Sequence, residues 1–283
     1  MKNYFFTFAT VAAITAMLGA SAGSSHDMGS MAGMDMSQPM GGGGNDMMRA
    51  MANHMRMTEL RPTTPQDEAR AREIITTLRS SIVKYRDYRV ALAQGMRIFL
   101  PGIRQDVYHF TDYPQANLEY QGRVDLRHPG SLLYLKDATG GYTLIGAMYS
   151  APAEATPNEL DQIVPLGIAR WHVHTNICLP SDLTISDILR NEIDANQPGT
   201  PGMLPVSNPN AMEMNHRYGF MADGRFGFEG KIYQASDCRA AGGHLVDQAF
   251  GWMVHVYPFS GDDLKVAFGM EVPKLATTVS AAR

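Results

Sequence analysis

An α+β domain is what this sequence predicts, with a long N-terminal helix followed by a mainly antiparallel sheet that carries a histidine cluster. Three observations lead there. Apolar residues recur at helical spacing between residues 75 and 92, short alternating segments parted by glycine-bearing turns follow, and both come after a leader that has neither period. The division is 1–22 as an export signal, 23–61 as a disordered segment rich in methionine and glycine, and 62–283 as a single domain.

The first 22 residues have the form of a signal peptide. Lys2 supplies the positive start, Phe5 to Leu18 an apolar run too short to cross a bilayer comfortably, and Ala20-Ser21-Ala22 the small-residue cleavage pattern. No cysteine stands at that site and no later stretch reads as a membrane span, so the expected location is periplasmic or secreted. Cleavage removes only Lys2 among the charged residues, taking the formal net charge from −4 to −5. A weakly acidic chain without clustered Lys and Arg is not built for nucleic acid.

Order begins at TTPQDE, residues 63–68. Thr64 can cap a helix, Pro65 fits its first turn, and Asp67 and Glu68 lie at the positive end of the dipole. Ile75, Leu78, Ile82, Tyr85 and Leu92 then carry the period to Gly95, whose left-handed conformation can end the helix. Strands are predicted at 107–110, 131–136 and 142–150, the last two joined by DATGG. A brief helix opens at Thr156-Pro157, a strand covers GIARWHVHTNIC at 167–178, and a helix covers 184–195. The Pro, Gly and Asn cluster at 197–210 is a loop, and two last strands are placed at 250–259 and 264–272.

In a strand, residues two apart share a face. WHVHTN thus puts Arg170, His172, His174 and Asn176 on one side, and GWMVHVYPF puts Met253, His255 and Tyr257 together. If the two strands are neighbours, three imidazoles and a thioether converge. That carboxylate-free set of soft and borderline donors suits copper better than magnesium, calcium or manganese, with zinc or iron as alternatives. The plain alternative is that the histidines only hydrogen-bond to one another or to backbone carbonyls. His109, His128 and His244 rank lower, and His216 beside Met212 and Met214 forms a looser second cluster. Ligating imidazoles must be neutral, so binding is expected to weaken as the pH drops through ~6.5.

Cys178 and Cys238 are the chain's two cysteines. In an oxidising compartment they should pair, thiolate ligation being the alternative. No GxSxG elbow and no phosphate loop appears, so nucleophilic or nucleotide chemistry has nothing to rest on.

Ten of the chain's 20 methionines lie between Gly23 and Leu60, among Gly, Ser, Asp and two histidines. Thioethers bind Cu(I) under oxidising conditions that disable thiolates. Met28, Met31, Met34 and Met36 have Met-x-x-Met and Met-x-Met spacing, and His26, Asp27 and Asp35 add harder donors. Residues 26–57 resemble the methionine-rich segments of exported bacterial copper-tolerance proteins, among them copper-resistance multicopper oxidases and periplasmic copper and silver carriers. The resemblance implies copper capture or delivery, with other periplasmic copper-handling proteins as partners. The HCH and HxHG signatures of a multicopper oxidase are missing, so that activity does not follow. Gly167 ahead of an HxH pair is similar to a cupin strand, but the glutamate expected a few residues after His174 is absent.

Two functions therefore stand side by side. One is a copper-binding protein whose tail collects the ion and whose His172, His174 and His255 hold it. The other is a metal-dependent enzyme, oxidoreductase or hydrolase, in which the same histidines leave one position open and Tyr257 or Arg170 assists.

Overall fold

The computed structural model describes residues 53–101, 105–187, 224–228, 230–270 and 272–273. The signal sequence, the methionine-rich residues up to 52, His216 and the 197–210 loop lie outside them.

Among the described residues seven strands make one sheet in which every pairing is antiparallel: β1 (Met55–Met57), β2 (Arg97–Ile98), β3 (Tyr108–Thr111), β4 (Ser131–Lys136), β5 (Tyr142–Ala151), β6 (His172–Pro180) and β7 (Gly243–Val256). Their spatial order is β1-β6-β7-β5-β4-β3-β2. Among the described residues six short and medium helices accompany them: α1 (Pro65–Ile82), α2 (Tyr88–Ala93), α3 (Tyr113–Glu119), α4 (Pro157–Ile163), α5 (Ala235–Ala240) and α6 (Leu264–Ala267). The fold is α+β.

One long helix from Thr64 to Gly95 is not supported. Helix α1 starts as expected, with Thr64 and Asp67 in a reciprocal capping box, but it gives way to a 3₁₀ turn at Val83–Arg86, and α2 is a separate piece capped by Asp87. The Asp87 side chain accepts from the Arg89 amide and so competes with continuation of the helix. The apolar period survives that break because Ala71, Ile74, Ile75, Leu78, Ile82 and Tyr85 still face one core.

Other boundaries also shift. The strand expected from Gly167 begins at His172, because Pro165 turns the chain by accepting from the Ile168 and Ala169 amides. Strand β7 starts seven residues before the expected Phe250. The strand expected at 264–272 opens instead as a helix at Leu264–Ala267: Asp263 caps the turn, accepting from the Lys265 amide, and the apolar residues there read equally well at either period. Strand β1 corrects the placement of the folded boundary at residue 62, since Met55–Met57 is already paired with β6.

Strand alternation gives the sheet two apolar faces. Tyr108, Phe110, Leu132, Tyr134, Tyr149, Trp171, Val173, Trp252, Val254 and Val256 pack with α1 in the larger core. Leu133, Ile145, Met148, Met253 and Tyr257 form a smaller cluster on the other face. That second face is strongly concave. Phe99, just past β2 at one edge, reaches Phe250 in β7, with ring centroids 6.0 Å apart. Gly146 allows the curl, because a Cβ there would run into the Val256 carbonyl and the Tyr257 ring. A register shift between Leu133 and Tyr134 bends the same region.

Cys178 in β6 and Cys238 in α5 form a disulfide across 60 residues. Among the described residues no helix is long and apolar enough to cross a membrane. Glu119 ties α3 to the sheet from a fully buried position, its two oxygens accepting from the Gly130 and Ser150 amides. Burial pushes its pKa up to about 8, against the pull of those two bonds.

Candidate metal centre

Four histidines meet on the concave face. His172 and His174 come from β6, His255 from β7 and His109 from β3. Three of them lie between residues of the α1-facing core, Trp171 and Val173 around His172, Val254 and Val256 around His255, Tyr108 and Phe110 around His109, and His174 follows Val173 of the same core. Alternation therefore turns all of these imidazoles away from α1. Strands β6 and β7 are neighbours, as the convergence of His172, His174 and His255 requires, and His172 lies opposite Met253.

Ring centroids are 5.1 Å apart for His172 and His255, 5.8 Å for His172 and His174, and 5.6 Å for His109 and His255. Imidazole nitrogens bind at about 2.0–2.1 Å from a tetrahedral ion, which places the centroids of two such ligands roughly 5.2 Å apart. The three measured separations bracket that value closely. Among the described residues no three His, Cys, Asp or Glu side chains are arranged to hold an ion as they stand. Side-chain rotation is therefore part of any ligation here, over a distance that the centroids already satisfy.

His109 arrives by curvature. Two strands, β5 and β4, separate β3 from β7, so in a flat sheet the two histidines would stand about 14 Å apart at the usual strand spacing. The observed 5.6 Å measures how far the sheet closes on itself.

These rings are kept neutral. His172 is buried and the other three are half-buried as residues, yet all four imidazoles are desolvated. Burial first, then repulsion from a neighbouring imidazolium, which for His174 is that of His54 and for the others is within the cluster, lowers His109 and His174 to about 4, His255 to about 3 and His172 well below the ordinary 6.5. Nitrogen lone pairs stay available at neutral pH. The buried Nδ1 atoms of His172 and His174 have no hydrogen-bond partner among the described residues. A buried polar atom left unmatched costs ~1–3 kcal/mol, so such atoms call for a ligand.

Strand register also sets methionines against the histidines. Met148 stands opposite His255, Met253 and Met57 both stand opposite His172, and Met55 stands opposite His174. Opposed residues of an antiparallel pair share a face with Cβ atoms about 5 Å apart. Tyr257 places its hydroxyl 3.3 Å from Nδ1 of His255.

No protein-family model matches this chain, and no curated protein or solved structure does either. What the residues can do must be read from their own chemistry.

Arg170 falls before β6, and Asn176, in a left-handed conformation at φ 55°, donates its amide to the Asn53 carbonyl instead of joining the imidazoles. His128 is an exposed turn residue bonded to Asp125 at 2.8 Å, and His244 sits opposite Leu179 near the far end of β7. His26, Met28, Met31, Met34 and Met36 lie outside the described residues. Sequence spacing ranked His109 too low and overlooked His54, which is buried and whose charge would oppose protonation of His174. The signal for His109 was present, since it alternates with Tyr108 and Phe110, but a lone histidine on a strand says nothing of a partner three strands away.

Proposed function

We propose that this is an exported metal-binding protein in which His109, His172, His174 and His255 hold one transition-metal ion, copper being the best match. The observation that carries the reading is the cluster itself: desolvated, neutral imidazoles at metal-sharing separations, two with unpartnered nitrogens. Copper is favoured over zinc because thioethers oppose three of the four histidines. The methionine-rich segment collects the ion, and periplasmic copper-handling proteins exchange it. The Cys178–Cys238 disulfide fits an oxidising compartment.

The test is the metal content of protein purified from the native compartment, for the full chain and for His172→Ala, His255→Ala and His109→Ala. Each substitution should abolish the tightly held ion, whereas His128→Ala retains it. Equal metal in all four variants would return the cluster to a purely structural role.

A second reading draws on Tyr257. A phenol in contact with a ligand histidine can assist chemistry at an open metal position, which would make the protein a metal-dependent enzyme. Loss of turnover in Tyr257→Phe with metal content unchanged would favour it.

A further inference from the structure

Beside the four-histidine centre, at the β1 edge of the sheet, a different donor set assembles. Strand β1 is short, and its register puts Met55 opposite His174 and Met57 opposite His172. The orientation is corroborated from the other face, where Arg56 between them lays its guanidinium 5.2 Å from the centroid of the Trp252 ring. Trp252 belongs to the α1-facing core, so the two thioethers point to the histidine side. Both methionines are only half-buried.

His54, next along the chain to Met55, is near enough to His174 for its charge to oppose protonation of that ring. It is 2 % exposed, and its Nε2 stands 2.6 Å from the Gly230 carbonyl. A carbonyl only accepts, so the hydrogen is on Nε2, and in the neutral ring Nδ1 keeps the lone pair. That Nδ1 is buried without a partner among the described residues, as is Nδ1 of His174. A ring nitrogen fixed as donor to a carbonyl while the other is left bare is the arrangement that orients histidine ligands. The Asn176 amide bond to the Asn53 carbonyl pins the chain here against β6.

We infer that His54, Met55 and Met57, with His174 as the shared wall, form a second site on the β1–β6 edge that binds a soft monovalent ion such as Cu(I) and loads the four-histidine centre. The inference rests on the metal-binding reading of that centre. Two thioethers and imidazole suit Cu(I) and its redox-silent analogue Ag(I), and discriminate against Zn(II). Half-exposure at the sheet edge lets an ion arrive, and His174 belongs to both sites, so transfer needs no free diffusion.

Nuclear magnetic resonance of the full chain with ¹³C-methyl-labelled methionine, titrated with Ag(I), tests it. The Met55 and Met57 methyl signals, assigned by their loss in Met55→Leu and Met57→Leu, should shift with Ag(I) and not with Zn(II). The shifts should persist when Met28, Met31, Met34 and Met36 are all leucine, and also in His255→Ala. In His54→Ala the Ag(I) needed for half-saturation should rise by at least ~10-fold. Signals that stay fixed at saturating Ag(I), in a protein whose histidine centre still takes up Cu(II), overturn the loading site alone. Fixed signals in a protein that takes up neither ion overturn both readings. Shifts that vanish with the leader methionines overturn the edge site as well.

Discussion

His109, His172, His174 and His255 act on stability through protonation, and the sign can be worked out. Their folded pKa values lie below the ordinary 6.5, at about 4, well below, about 4 and about 3. The unfolded chain therefore takes up protons first as the pH drops. Metal-free protein should be fully stabilised by these groups above pH ~6.5 and lose that contribution as the pH falls, the His109 and His174 part running out near 4 and the His255 part near 3, each histidine adding a slope of up to ~1.4 kcal/mol per pH unit. Glu119 works in the opposite direction: with its pKa raised to about 8, its contribution is present at low pH and is lost as the pH rises from 4.5 toward 8. Four histidines outweigh one carboxyl across the acidic window. Urea midpoints from pH 7 to 4 should fall, and a flat profile would show that the rings are solvated. Burial also corrects the expected titration near 6.5, because the bound metal should be retained through pH 5 and released closer to 4.

At the scale of elements, β5 and its glycine hold the concave face together. A Cβ at Gly146 meets the Val256 carbonyl and the Tyr257 ring, and this part of β7 also bears His255. Gly146→Ala should cost ~1–3 kcal/mol by overpacking and weaken metal uptake along with stability. Gly140→Ala, with nothing within 4 Å of the added carbon, provides a comparison that acts only through its positive φ. Thermal unfolding of the two variants with and without metal separates the effects. Local chemistry made several elements readable in advance. The Thr64 and Thr156 capping boxes, each with proline in the first turn, set the starts of α1 and α4, and the DATGG turn joins β4 to β5. Strand β2 has only two residues and β1 only three, too short for either to show a period, and each exists because a longer neighbour offers it hydrogen bonds.

Across the whole molecule, the disulfide joins β6 to α5 and closes a loop that spans 60 residues. In the chain-entropy model it stabilises by ~4 kcal/mol, so Cys178→Ser with Cys238→Ser should lower the urea midpoint accordingly. Titration of denatured, unreduced protein should find no free thiol. The bond also anchors the β6 end beyond the histidines, and the paired variant should bind metal less tightly if that anchoring keeps His172 and His174 in register with β7.

The sequence alone determined the α+β class, the caps, the alternation that puts His172 with His174 and Met253 with His255, and two cysteines without competitors. These follow from spacing along one segment, where covalent geometry converts residue number into direction. The tertiary structure decided that β6 and β7 are neighbours, that the sheet curls until His109 crosses two intervening strands, and that Met55 and Met57 lie against the histidines of β6. No segment encodes those distances by itself, because strand order and curvature are set jointly by hydrogen-bond pairing, by the glycine and bulge in β5, and by the packing of α1 against the opposite face.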